Sequence, residues 1–152
     1  MKFFRRVIKV IGLEKHILSI ATDIDKPITN LQLQKIWYFT LGFLIKKGDI
    51  ELAKSEFENS NLEAWLYGPV VPRFYNEYKE YKSMPIQDKG RKIDEFNNDT
   101  INNFIKRLIK INPFTLVDIS HQHAFWADNK NEIESLGYKP SYGFKDIEES
   151  FK

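Results

Sequence analysis

Residues 28–49 read ITNLQLQKIWYFTLGFLIKKGD, and their reading decides the fold. Thr29 and Gln32 stand at the spacing of a capping box, while Lys46, Lys47 and Gly48 have the composition of a helix end. Between them Leu33, Ile36, Trp37, Thr40, Leu41 and Leu44 recur at helical period. Leu31, Phe39 and Phe43 widen that stripe until little more than Gln32, Gln34, Lys35 and Lys46 reads as solvated. A helix apolar on most sides must be surrounded, so the spacing predicts a central helix inside a mostly α fold.

Downstream, AWLYGPVVP at residues 64–72 gathers one glycine and two prolines behind Trp65 and Tyr67. The helical period fails from Asp49, and two short runs, around Phe57 and over residues 62–66, flank Glu58, Asn59, Ser60 and Asn61 as a β-hairpin would. Pro69 has no amide hydrogen and restricts Gly68 before it, so the strand is expected to stop there. Pro72 suits the first position of the next helix, which carries Phe74, Tyr75, Tyr78 and Tyr81 near one face. GPVVP thus reads as a rigid connector holding Val70 and Val71 extended. Its residues either pack and turn only, or also touch a ligand, and pattern alone leaves both readings open.

Residues 84–100 are polar and aperiodic, the composition of a mobile loop. Asp99 or Thr100 is placed to cap a helix bearing Ile101, Phe104, Ile105, Leu108 and Ile109, which Pro113 ends. A short helix follows from Thr115 through Leu116, Val117, Ile119 and His121. Residues 131–136 read as helical, residues 137–143 as turns, and Ile147 with Phe151 as a last helical turn on the core. At the N-terminus Lys9, Glu14 and Lys15 break the apolar run a signal peptide needs. Phe4, Val7, Ile8 and Ile11 there have the spacing of a first amphipathic helix, core-facing or, as a sharper alternative, lying on a membrane surface.

The 152 residues suffice for one hydrophobic core. Twenty-three Lys and Arg against 21 Asp and Glu leave +2, too weak a field to argue for nucleic acid. The basic patches are small, and in YNEYKEYK the lysines are cancelled by Glu77 and Glu80. The absence of cysteine removes disulfides and thiol chemistry and suits a reducing, cytoplasmic setting. No run approaches the ~18 apolar residues that span a bilayer.

Catalytic signatures are missing: no P-loop, GxGxxG, HExxH or GxSxG. His121 and His123, two apart, point about 200° apart on a helix and cannot share an ion there. Asp118 and His121, three apart, can meet on a helix face and form an oriented pair. A structural role for His121 and an enzyme built on that pair are the alternatives. No metal, cofactor or catalytic residue is assigned.

TNLQLQKIWYF, then EAWLYGPVVPRFYNEYKEY, then LVDISHQHAFW together resemble the Panacea domain, the phage-associated GepA or SocA-like antitoxin family. The likeness runs from about Val10 to Trp126, with residues 1–9 as an extension to a Panacea-like domain that takes in the chain. Phe125 departs from the family's usual proline before the tryptophan. The resemblance implies a mostly α (α+β) compact helical domain with a small two-stranded β-hairpin. It also implies an antitoxin that binds a toxin protein encoded by the adjacent gene, or a proteolytic adaptor or phage-derived regulator that delivers a partner to a cellular protease. It marks Leu33, Lys35, Trp65, Tyr67, Gly68, Pro69, Val70, Val71, Pro72, His121 and Trp126 as motif positions and candidate partner contacts. Trp65 and Tyr67 are expected to anchor the hairpin on the LQK helix, and Val70 and Val71 to be the exposed part of the connector.

Overall fold

The computed structural model describes residues 12–152. The amphipathic helix expected around residues 4–11 lies outside the described residues. The capping box forms as the spacing predicts: the Gln32 amide donates to Thr29 Oγ1 at 3.2 Å and the Thr29 amide to Gln32 Oε1 at 2.9 Å. Such a cap stabilises a helix start by about 1 kcal/mol. From it α2 (Asn30–Lys46) runs through the middle of the molecule with Leu33, Ile36, Trp37, Leu41 and Leu44 wholly buried. Around it stand α1 (Leu13–Asp23), α3 (Ile50–Phe57), α4 (Pro72–Tyr78), α5 (Asp99–Ile109), α6 (Pro113–Gln122) and α9 (Phe144–Ser150). Two short helices, α7 (Ala124–Asp128) and α8 (Lys130–Leu136), link α6 to the tail. Buried apolar residues from Leu13 to Ile147 form one cluster. The fold is therefore mostly α with one small sheet.

That sheet is a hairpin, but not the one the polar stretch 58–61 suggests. Residues 50–57 are helix α3, whose burial is limited to Ala53 and Glu56, so its apolar period is faint in the sequence. The hairpin pairs β1 (Glu63–Trp65) with β2 (Gly68–Val70) in the register Glu63 to Val70, Ala64 to Pro69 and Trp65 to Gly68. Gly68-Pro69 thus opens a strand where a stop was expected. The Ala64 amide donates outward to the Pro140 carbonyl at 2.8 Å, so Ala64 and Pro69 form the pair whose amide positions point away from each other. A missing N–H at Pro69 then removes no ladder bond.

Helix boundaries follow side-chain caps. Asn98 caps α5 by accepting the Ile101 amide at 3.0 Å, one position ahead of the expected Asp99. Asn112 caps α6 by accepting the Phe114 amide, and Pro113, expected to end α5, instead opens α6 as its first residue, four residues beyond the last of α5. Ile147 is fully buried, and the Phe151 ring lies 5.3 Å from Tyr38 and 5.7 Å from Phe39.

Residues 84–98, expected as a mobile loop, are strapped along α1. Ile86 and Phe96 are buried, the Ile86 amide donates to Ile28, and the Arg91 amide donates to Lys15. Asp88 pairs with the Lys15 ammonium and accepts from the Tyr78 hydroxyl. Gly90 has φ 68° and lies so close to α1 that a Cβ there would stand 2.2 Å from the Lys15 carbonyl. The Ile93 amide donates to His16 Nδ1, so His16 carries its proton on Nε2 and gives it to Asn102 at 2.8 Å. Polar composition here reflects backbone partners rather than freedom.

Candidate functional site

Two of the four polar residues of α2 that read as solvated, Gln34 and Lys35, are buried, while Gln32 is half-buried and Lys46 exposed. Gln34 is 2% exposed and Lys35 is 0% exposed. Gln34 Oε1 accepts the Val71 amide at 2.8 Å, and its Nε2 donates to Asn30 Oδ1 at 3.1 Å and to the Val71 carbonyl at 3.4 Å. Asn30 Nδ2 donates to the Tyr75 carbonyl at 3.2 Å, and Lys35 Nζ to the Pro69 carbonyl at 2.9 Å. One helix face therefore supplies the partners that an extended connector between two prolines cannot find in a sheet. Burial pushes Lys35 down from its ordinary value to about 7, and no carboxylate pairs with it among the described residues.

The later motif block closes the same site. Trp126 Nε1 donates to the Trp65 carbonyl at 2.8 Å, and the His121 ring stacks on Trp126 at 3.6 Å. Gly68, at φ 101°, sits where a Cβ would meet Ser120 Oγ at 2.6 Å and Lys35 Cε at 3.1 Å. Only glycine combines that backbone with that approach. Burial holds His121 below its ordinary value, the Leu66 backbone opposing it and the Lys35 charge adding to it. Asp118 acts on His121 only as a nearby charge, without the hydrogen bond that an acid–base pair requires. His123 shares a 2.7 Å hydrogen bond between its Nδ1 and the Tyr38 hydroxyl. Phe125, where the family pattern has proline, packs on Tyr142 at 4.4 Å.

The motif positions divide by exposure. Leu33, Lys35, Gly68, Pro69, Val70, Val71 and Trp126 are buried, and Pro72 is half-buried at the start of α4. Val70 and Val71, expected to be the outward part of the connector, are 6% and 0% exposed. Tyr67, expected to anchor the hairpin, is 56% exposed. Trp65 is half-buried: its indole donates to Glu63 at 2.8 Å, its ring lies 5.0 Å from Tyr75, and the Lys139 ammonium lies 4.4 Å above it.

Beside the hairpin opens a groove of about 890 Å³ between the start of α2, the Leu66–Tyr67 turn, α4 and the start of α6. Nine large apolar side chains are exposed among the described residues, and four of them, Leu66, Tyr67, Tyr75 and Phe114, line this groove. Periodicity does not mark Leu66, Tyr75 and Phe114 as site residues, because period sorts residues into core or surface and says nothing of surfaces that adjoin. Among the described residues no set of three or more His, Asp or Glu is placed to hold a metal, and no helix is long and apolar enough to cross a membrane.

The family model described as Antitoxin SocA-like, Panacea domain matches residues 33–127. Antitoxin SocA of Caulobacter vibrioides (strain NA1000 / CB15N) is 43% identical over 60 residues, which cover 39% of this chain and 29% of that protein. No solved structure matches the chain. The match takes in α2 beyond its first turn, the hairpin, α4, α6 and Trp126, the parts that build the connector site, and the chain belongs to the SocA-like Panacea family of antitoxin domains.

Proposed function

We propose that this chain is an antitoxin that neutralises a cognate protein toxin by binding it directly, acting in the cytoplasm and without catalysis. The match of residues 33–127 to an antitoxin family carries this reading. The groove supports it physically, since a cluster of exposed aromatic and aliphatic side chains on a rigid frame is what a protein hot spot requires. In this reading Trp65 and Tyr67 touch the toxin. Leu33, Lys35, Gly68, Pro69, Val70, Val71, Pro72, His121 and Trp126 hold the hairpin in place and act through it.

The test is co-expression with the product of the adjacent open reading frame. Growth arrest by the neighbour alone, relieved by this chain at unchanged toxin abundance, is the expected result. A neighbour that stays toxic in the presence of ample folded chain defeats the reading. Toxin that disappears, and returns in a protease-deficient host, instead makes the chain a proteolytic adaptor.

A further inference from the structure

We propose that the groove receives an apolar segment of a partner protein flanked by carboxylates, seated through its side chains and not by extending the sheet. This rests on the reading of the groove as the partner site and specifies the partner's chemistry. Three observations carry it.

The first is charge. Among the described residues Lys35, Lys79 and Lys82 line the groove and no Asp or Glu does. The nearby carboxylates are spent elsewhere: Glu63 accepts from the Trp65 indole at 2.8 Å and Glu77 pairs with Lys15 at 3.3 Å. Glu80, on the turn between Lys79 and Lys82, does not line the groove. Lys82 is held at φ 55°, a backbone region that favours glycine, yet it presents a long cation at the rim. A chain of net charge +2 thus offers an apolar groove whose described charged residues are all positive, which steers acidic partners and repels basic ones.

The second is the state of the sheet edges. β1 is flanked by residues 140–141 through the Ala64-to-Pro140 hydrogen bond and the Glu63–Ser141 bridge. Along β2, Pro69 has no amide to offer and its carbonyl is taken by Lys35. A partner backbone has no ladder to join, so recognition falls to side chains in the groove.

The third is size. About 890 Å³ lies within the ~300–1,000 Å³ of ligand-sized sites, room for a few large side chains of one segment and not for a domain surface. Single-stranded nucleic acid also uses aromatics and lysines, but it needs a basic track along its phosphates, and here Lys35 is buried beneath the floor, leaving two lysines at the rim.

The experiment pans a display library of random peptides of about twelve residues against the whole chain and against its Lys79→Glu/Lys82→Glu variant. Both lysines are exposed, so the variant keeps the parent's melting temperature. The expected peptides pair aromatic or aliphatic residues with Asp or Glu and lose about tenfold or more in affinity for the variant. Tyr67→Ser weakens the same peptides. Basic or charge-indifferent peptides, peptides that bind the variant equally, or no enrichment over the variant overturn the proposal. So does a single-stranded oligouridylate that occupies the groove where acidic peptides fail. The outcome is separable from the antitoxin reading. Acidic peptides held by Lys79 and Lys82 beside a toxin that is not neutralised leave this site and remove that function, whereas full neutralisation by the reversed variant does the opposite.

Discussion

α2 carries a buried charge site on each of two sides, and the two are built differently. Lys35 and Trp37 point about 200° apart around the helix. On the Lys35 side one ammonium meets a neutral carbonyl, and the neighbouring amides are spent on backbone, Gln34 on the connector at Val71 and Asn30 on the Tyr75 carbonyl of α4. On the Trp37 side Glu14 and Glu56 are both buried, at 6% and 5% exposure. Glu56 Oε1 accepts from the Trp37 indole at 3.3 Å and the Leu13 amide at 3.4 Å, and Arg73 stands 3.9 Å from Glu14. Glu14 Oε1 and Glu56 Oε2 are buried without a hydrogen-bond partner. Burial raises both carboxyls, Glu56 to about 7 with the Glu14 charge adding to it. The hairpin side spends its polar groups on position, while the carboxylate side leaves oxygens orphaned at a cost to stability.

Breaking the first side has the largest effect. Gln34→Leu strands the Val71 amide inside the protein and is expected to cost about 3–4 kcal/mol, read by urea unfolding, and under the proposed function toxin neutralisation is lost as the hairpin loosens. A cost under about 1 kcal/mol would mean that the connector does not depend on this helix face.

The second side is sharpened by Glu56→Gln. The native carboxyl titrates near 7 against an ordinary 4.5, so between those values the native state holds a proton that the unfolded chain has lost. Its contribution to stability is complete below about 4.5 and falls as pH rises through about 7. The variant escapes that fall and is expected to be about 2–3 kcal/mol more stable than the parent at pH ~8, the difference closing toward pH ~4.5. Thermal unfolding across that range checks it.

Lys35→Met tests the opposite sign. The native ammonium titrates near 7 against 10.5, so above 7 the unfolded chain holds a proton that the native state lacks. Stability from this group therefore rises with pH, by about 2 kcal/mol between pH ~7 and ~9, and the variant is expected to lose that rise. An unchanged pH profile would place a charge partner on Lys35 in solution. The smallest effect on stability is expected for Tyr67→Ser, under about 0.5 kcal/mol, while under the proposed function the affinity for the toxin, measured by calorimetry, drops about tenfold or more.

The same two sides show what a linear reading captures. Thr29, Gln32 and the apolar residues of α2 behave as their spacing predicts, because capping and amphipathicity are decided within a few residues. Polarity alone assigns Gln34 and Lys35 to water, yet a second layer covers their face, and that layer is a connector 34 to 37 residues away. The misplaced hairpin has a related cause. Pro69 forbids pairing only if its amide faces the partner strand, and register with Ala64 turns it the other way. The strapped segment 84–98 likewise depends on partners in α1 that no local pattern displays.

By itself the sequence determined the central helix with its cap, the mostly α character, the helix start at Pro72 and the family to which the chain belongs, since each rests on local stereochemistry or on motif order. Only the tertiary structure decided that the polar face of α2 is an internal clamp, that Val70 and Val71 point inward while Tyr67 points out, and that four scattered apolar residues share one groove. Burial and adjacency are properties of what packs against a residue, and that is set by segments far away in the chain.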